Sequence, residues 1–179
     1  MNSKEETKKM VKAIYAGTFD PITFGHLDII KRSMQFCTQL VIGIGVNSAK
    51  KTLFTDEERI KQIDMALTAH VDFLDSTNIK VIPFQGLLVQ FAKEVGAKVL
   101  VRGIRSVSDF EYEITLANAN KVLAPDIETV FLPTSPELAV VSSSLVKEVA
   151  KHGGDVSKFT TKYVQENIKS KFGFVKFGE

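Results

Sequence analysis

The stretch Ala13-Ile-Tyr-Ala-Gly-Thr-Phe-Asp-Pro-Ile-Thr-Phe-Gly-His26 decides the fold of this chain. Its first four residues form an apolar run that ends at Gly17, which predicts a buried strand followed by a turn. The residue before a proline is kept out of the helical region, so Asp20 is expected to be extended. From Gly25 the apolar residues recur at helical spacing, which predicts a helix from near His26 to about residue 36.

A strand, a glycine-bearing loop and a helix in this order favour the binding of an anion. Free backbone N–H groups and the positive end of the helix dipole meet at the loop. The spacing is neither that of a P-loop nor that of the Gly-x-Gly-x-x-Gly dinucleotide fingerprint. Local physics leaves a second interpretation open, in which Gly17 and Gly25 only allow turning and packing and His26 is a helix cap.

The composition is that of an ordinary globular protein and excludes several functions. The chain has 179 residues, 44% hydrophobic and 25% charged, which fits one domain of 1–179. A net charge of +2 gives no broad electrostatic case for binding nucleic acid or a membrane. The single cysteine, Cys37, excludes an internal disulfide, and its helical position favours burial. No secretory signal or membrane-spanning segment is recognisable, so we expect a cytoplasmic protein. With one cysteine and no His-x-x-x-His spacing, we expect no zinc site.

The rest of the chain alternates strands with helices. Strands are predicted at 39–46, 79–83, 99–101 and 129–132. Helices are predicted from a Thr55–Glu58 capping box to about residue 70, at 86–95, from a cap at Asp109 to about 123, after 142–144, and at 161–171. The alternation indicates an α/β fold with a parallel sheet and helices on both faces.

Polar clusters follow the predicted strands, at 18–26, 47–51, 102–105 and 135–144. In a parallel sheet these segments meet at the carboxyl edge, where ligands bind. Many fixed donors without an evident nucleophile suit phosphate chemistry, in which catalysis is mostly positioning and charge stabilisation. Taken singly, Arg102 and Arg105 could form surface salt bridges, and the serines at 142–144 could only cap a helix. Four such clusters on one edge make a shared site the better interpretation.

Two motifs in these clusters resemble those of the nucleotidylyltransferases. Thr23-Phe-Gly-His26 resembles their Thr/His-x-Gly-His signature, and Val141-Ser-Ser-Ser-Leu-Val-Lys147 resembles their serine-rich signature. The longer string from Gly17 to His26, Arg102-Gly-Ile-Arg105 and Asp109-Phe-Glu-Tyr-Glu113 are similar to those of bacterial phosphopantetheine adenylyltransferases. The resemblance runs in order over 12–169, with 1–10 and 172–179 as terminal extensions.

The resemblance implies a single Rossmann-like domain with a five-stranded sheet in the order 3-2-1-4-5. It implies transfer of the adenylyl group of ATP to 4′-phosphopantetheine, with Mg²⁺, without a covalent intermediate, in a homo-oligomer that is typically a hexamer. His26 would stabilise the transition state, with Lys50 and Arg105 as further catalytic residues. The implied phosphopantetheine contacts are Thr18, Lys50, Leu88 and Arg102. The implied ATP contacts are Thr18, Phe19, His26, Gly103, Ile104, Arg105, Glu113, Leu138, Ala139, Val140, Val141, Ser142, Ser143 and Ser144.

Rival functions remain at this point. Another enzyme of the same superfamily would act on nicotinamide mononucleotide or an alcohol phosphate, against which the string from Arg102 to Glu113 argues. A non-catalytic ATP-binding module would not need both His26 and Lys50. A class I aminoacyl-tRNA synthetase would be longer and would carry Lys-Met-Ser-Lys-Ser. The sequence departs from the family at Leu138, where many members have an aromatic residue, and at Ala16, where proline is common.

Overall fold

The computed structural model describes residues 10–47, 51–70 and 78–173, and strands alternate with helices along them. The strands are β1 Lys12–Gly17, β2 Gln39–Gly45, β3 Ile79–Phe84, β4 Val99–Ile104 and β5 Glu128–Pro133. The helices are α1 Phe24–Ser33, α2 Asp56–His70, α3 Leu88–Glu94, α4 Val107–Leu123, α5 Ser143–Lys151 and α6 Lys162–Phe172, with a short 3-10 helix at Pro136–Leu138.

The five strands form one parallel sheet in the order β3-β2-β1-β4-β5, which confirms the predicted Rossmann-like α/β fold. Strand β1 lies in the centre, and Ile14 is paired with Val41 of β2 on one side and with Leu100 of β4 on the other. Strands β2 and β3 lie on one side of β1, and β4 and β5 lie on the other. The strand order therefore reverses at β1, and the loop after β1 lies at the topological switch point. Ligands of such sheets bind beyond the carboxyl ends of the strands at that point.

The core has two layers, one on each face of the sheet. Ala13 and Tyr15 of β1 face a cluster that includes residues of α1, α2, α5 and α6. Ile14 and Ala16 face a second cluster that includes residues of α3. This alternation follows from the two-residue period of a strand, and it makes both faces of the sheet apolar.

Several predicted boundaries differ from the observed ones. Helix α1 begins at Phe24 rather than near His26 and ends at Ser33, so Cys37 is buried beyond the helix and not on it. The prediction that Asp109 caps α4 is wrong, because Ser106 is the N-cap and accepts a hydrogen bond from the backbone N–H of Asp109. The Thr55–Glu58 capping box of α2 is confirmed by reciprocal hydrogen bonds of 2.8 and 3.2 Å.

Helix α4 is poorly covered by the described part of the chain, because none of its 17 residues is buried. Its exposed large apolar side chains are Val107, Phe110, Tyr112, Ile114, Leu116, Val122 and Leu123. Contiguous exposed apolar surface on a folded domain marks an interaction surface more often than isolated residues do.

Candidate active site

A cavity of about 280 Å³ opens at the carboxyl edge of β1 and β4. It brings together nine of the predicted ATP contacts, together with Arg102. These are Thr18, Phe19, His26, Gly103, Arg105, Val141, Ser142, Ser143 and Ser144. The N-termini of α1 and α5 both lie at this cavity, so two helix dipoles present their positive ends to it.

His26 is both the third residue of α1 and part of the cavity wall. The backbone N–H of Thr23 donates to Nδ1 of His26 at 3.0 Å, and the backbone N–H of His26 donates to the Thr23 hydroxyl at 3.4 Å. This is a capping box in which histidine stands where glutamate or glutamine is usual. Because an amide N–H can only donate, Nδ1 must accept, and the imidazole proton of the neutral ring is therefore on Nε2.

The environment keeps this ring neutral. Burial, with a smaller contribution from the positive charge of Arg105, lowers the pKa of His26 from 6.5 to about 4. At neutral pH His26 is consequently an uncharged N–H donor rather than an imidazolium. His26 can therefore be both a helix cap and part of an anion-binding site, the two interpretations that the sequence left open. It caps the helix through Nδ1 and leaves Nε2–H available for a ligand.

The loop after β1 holds an unusual backbone conformation at Phe19. Its φ of 49° lies in the left-handed region, which costs a non-glycine residue of order 1–3 kcal/mol and persists only under external constraint. The Phe19 ring is buried edge-on against Tyr15 at 5.5 Å and against His26 at 5.0 Å between centroids. The guanidinium of the fully buried Arg59 donates to the carbonyl oxygen of Thr18 and is paired with Asp56.

Asp20 links this loop to two other elements. Its side-chain carboxylate, in a residue only 2% exposed, accepts hydrogen bonds from the backbone N–H groups of Leu53 and Phe54 at 3.0–3.1 Å. The ammonium of Lys147 on α5 pairs with the same carboxylate at 2.6 Å. The peptide bond that follows Asp20 is cis. Asp20 thereby fixes the β1 loop against the segment that follows β2 and against α5.

The serine-rich stretch contributes to both helix capping and the cavity. Ser142 is the N-cap of α5 and accepts from the backbone N–H of Leu145 at 3.1 Å, while Ser143 donates to the carbonyl oxygen of Pro21 at 2.7 Å. Among the described residues the Ser144 side chain has no hydrogen-bond partner, and it lines the cavity. Capping and ligand binding are again compatible here.

The two predicted arginines differ in their surroundings. Arg102 forms a bidentate pair with Glu113 of α4, with both N–O distances 2.6 Å, and it donates to the carbonyl oxygen of Ala16 at 2.9 Å. The carboxylate raises the pKa of Arg102 against the opposing effect of burial. Arg105 is more exposed and pairs with Asp109 at 2.9 Å, which is the surface salt bridge that the sequence left open.

A second cavity, of about 210 Å³, shares Arg102 with the first. It also contains the predicted residues Leu88 and Glu113, and its other lining residues are Gly86, Leu87, Leu116, Ala117, Asn120 and Thr129. A third cavity shares Thr18 with the first and Gly86 with the second. A chain of cavities thus leads from the β1 loop along the carboxyl ends of β2 and β3.

The remaining predicted residues lie elsewhere. Ile104, Leu138, Ala139 and Val140 do not line the first cavity, although Ile104 and Val140 are next in the chain to residues that do. Lys50, predicted as a catalytic and acceptor-binding residue, lies outside the described residues.

Several residues of this region were not singled out from the sequence. Tyr15, Ile29 and Thr134 line the first cavity, and Arg59 and Asp20 support its loop. The sequence carried a signal for Tyr15, because a polar hydroxyl stands within a buried apolar strand. It carried none for Arg59, because nothing in the helical pattern of α2 distinguishes this residue from a surface arginine.

The part of the chain that the structure describes has neither a metal-binding cluster nor a membrane-spanning helix. No group of three or more His, Cys, Asp or Glu side chains in 10–47, 51–70 and 78–173 is arranged to hold a metal ion. In the same part of the chain, no helix has the length and apolarity needed to cross a membrane.

Comparison with known proteins agrees with this architecture. The model of the cytidylyltransferase-like family matches residues 14–149. A putative nicotinate-nucleotide adenylyltransferase from Vibrio parahaemolyticus superposes with a TM-score of 0.67 at 16% identity, over 93% of this chain and 98% of that one. Nicotinic acid mononucleotide adenylyltransferase from Plasmodium falciparum gives a TM-score of 0.66 at 15% identity, over 94% and 98%. Because the sequence identities are only 15–16%, the two structures show that the fold is shared and nothing more.

Proposed function

The chain belongs to the cytidylyltransferase-like family, and from that premise we propose that it transfers the adenylyl group of ATP to 4′-phosphopantetheine. The products are dephospho-coenzyme A and pyrophosphate, as in coenzyme A biosynthesis. The observation that carries the proposal is the pair of cavities that share Arg102, one beside two helix N-termini and the other lined by leucines as well as polar side chains.

The first cavity is proposed as the ATP site. Phosphate groups bind well at helix N-termini, and the N-termini of α1 and α5 both lie here with Ser144 and Arg105. His26 presents an uncharged Nε2–H donor, which suits a phosphate oxygen that gains negative charge as the reaction proceeds.

The second and third cavities are proposed as the acceptor site. An acceptor phosphate near Thr18 and Arg102 would lie beside the ATP site, and the arm would extend toward Leu88. Leu87, Leu88 and Leu116 offer apolar contact for methylene groups, and Asn120 and Thr129 offer partners for amides. This mixture of apolar and polar lining residues supports an acceptor with methylene and amide groups in preference to a planar nicotinate ring. Lys50 is proposed as a further acceptor contact on the resemblance alone.

The proposed reaction is a direct in-line displacement. An oxygen of the acceptor phosphate attacks the α-phosphorus, a new P–O bond forms, and the bond to the bridging oxygen of pyrophosphate breaks. The acceptor phosphate is already an anion at neutral pH, so no general base is required. Holding two polyanions in line can supply about 7–11 kcal/mol of the barrier. Mg²⁺ is proposed as the companion of ATP, since it is usually held through substrate phosphates and neutralises their charge.

We also propose a homo-oligomer, with the apolar surface of α4 as the contact between copies. Six of the seven exposed large apolar side chains of α4 support this, because burying them against a second copy would remove them from water; the seventh, Leu116, lines the second cavity. The hexameric state is carried over from the resemblance.

The experiment is a pyrophosphate-release assay with ATP and a panel of phosphorylated acceptors. We expect turnover with 4′-phosphopantetheine and none with unphosphorylated pantetheine, which lacks the attacking group. Nicotinate mononucleotide is a decisive competitor because the two structural neighbours described above are named for it, and nicotinamide mononucleotide is included as the rival acceptor raised by the sequence. Comparable turnover with either would overturn the proposed acceptor and leave adenylyl transfer intact.

A further inference from the structure

The hydroxyl of Tyr15 is a polar group in the first cavity that the proposed mechanism does not use. The residue is only 7% exposed, and its ring packs edge-on against Phe19. Among the residues that the structure describes, its hydroxyl has no hydrogen-bond partner. The hydroxyl oxygen is not one of the fully buried polar atoms that lack a partner, so it is accessible from the cavity and can meet a ligand there.

The position of the hydroxyl is given by Gly103 on the neighbouring strand. A Cβ atom built on Gly103 would lie 3.7 Å from the Tyr15 hydroxyl oxygen. Tyr15 is paired with Val101, so its side chain reaches two residues further, toward the carboxyl edge of the sheet. Both Tyr15 and Gly103 line the cavity, so the hydroxyl, which lies close to Gly103, faces the cavity.

The chemistry of the hydroxyl selects the part of a nucleotide that it can bind. Burial raises the pKa of Tyr15 above its ordinary value, so the phenol stays protonated at neutral pH. It offers one donor and one acceptor without charge. The charged phosphates are better matched by the helix N-termini, Arg105 and His26. A ribose hydroxyl, which is also both donor and acceptor, is the matching partner.

We propose that the Tyr15 hydroxyl binds the nucleotide by a hydrogen bond to a ribose hydroxyl of ATP. The inference rests on the proposed function for the identity of the nucleotide. It assigns Tyr15 as a contact to the sugar, distinct from the residues that bind the phosphates.

The test is Tyr15→Phe, with Tyr163→Phe as the matched control because Tyr163 lies on α6 and lines none of the three cavities. Removing an unpartnered hydroxyl should leave the melting temperature unchanged or raise it. ATP binding, measured by calorimetry, should weaken by about 2- to 12-fold, the usual range for one net hydrogen bond. The KM for ATP should rise similarly, with the KM for 4′-phosphopantetheine unchanged. The control should change neither binding nor kinetics.

Two ATP analogues locate the contact on the nucleotide. One of the two analogues, 2′-deoxy-ATP or 3′-deoxy-ATP, lacks the ribose hydroxyl that Tyr15 binds, and that analogue should bind the wild-type protein more weakly than ATP does. In Tyr15→Phe the affinities for that analogue and for ATP should be equal. Unchanged ATP affinity in Tyr15→Phe would overturn the inference while leaving the proposed function standing. If Tyr15→Phe weakens the binding of ATP and of both deoxy analogues by the same factor, the assignment to the ribose is overturned. Failure of the wild-type protein to bind ATP would overturn both the inference and the proposed function.

Discussion

Replacement of His26 should separate the folding role of this side chain from its proposed catalytic role. In His26→Ala, the backbone N–H of Thr23 loses the Nδ1 acceptor and the cavity loses the Nε2–H donor. In His26→Glu, a side-chain oxygen at the third helical position can still accept from Thr23, as in an ordinary capping box, and the ionised carboxylate has no N–H to donate. The two variants therefore differ in capping and agree in losing the imidazole.

The magnitudes follow from these contacts. Loss of a cap costs about 0.5–2 kcal/mol of stability, and the burial of Thr23 places His26→Ala in the upper part of that range. Loss of one donor to a developing oxyanion lowers kcat by about 10²–10³, or about 2.7–4 kcal/mol. We expect His26→Glu to unfold near the wild-type temperature and to lose at least as much kcat as His26→Ala.

The assay combines thermal denaturation, ATP binding by calorimetry and steady-state pyrophosphate release. Affinity for ATP should change less than kcat if the hydrogen bond strengthens in the transition state. A His26→Glu variant with kcat close to wild type would refute the catalytic assignment. A collapse of ATP affinity with kcat preserved at saturation would make His26 a ground-state contact, and equal melting temperatures for both variants would refute the capping role.

Four further predictions follow from the same contacts. Because the pKa of His26 falls from 6.5 to about 4 on folding, the unfolded chain binds a proton that the folded chain does not, so His26 lowers stability as the pH falls from 6.5 toward 4. Histidine NMR titration should show this ring neutral at pH 5.5. Asp20→Ala should cost about 3 kcal/mol in urea denaturation, the low end for breaking a buried ion pair, because the Lys147 side chain is 30% exposed. Gly103→Ala should weaken ATP binding in calorimetry, because its Cβ would lie 3.1 Å from Ile29 beneath the cavity. Val122→Glu, at an 81% exposed position, should lower the oligomeric mass in light scattering, whereas Met65→Glu on α2 should not.

The order of elements could be predicted because it depends on local periodicity. The buried runs of β1 and β2, the capping box of α2 and the serine cap of α5 are all encoded within a few neighbouring residues. The rule that ligands bind at the carboxyl edge then brought the loop residues together without coordinates. Helix α4 shows the limit of local signals, since Ser106 and Asp109 are both acceptable caps and the sequence does not state which one is used.

The supporting contacts of the site could not be predicted, because they depend on tertiary structure. The left-handed φ of Phe19 is imposed by its buried ring and by Arg59, which lies 41 positions from Thr18. The carboxylate of Asp20 finds partners 33 and 127 positions away. No periodicity or local motif carries such information.

The pairing of Arg102 with Glu113 bears on how the protein discriminates among the many anions of a cell. Three of the five N–H groups of Arg102 are already engaged, and its charge is balanced by a carboxylate. An inorganic phosphate or sulfate ion that approaches alone must compete with that carboxylate and has no other contact to offset the loss. A ligand that brings its own arm into the adjoining cavity gains further contacts at the same time. Selectivity then depends on the whole ligand rather than on its charge.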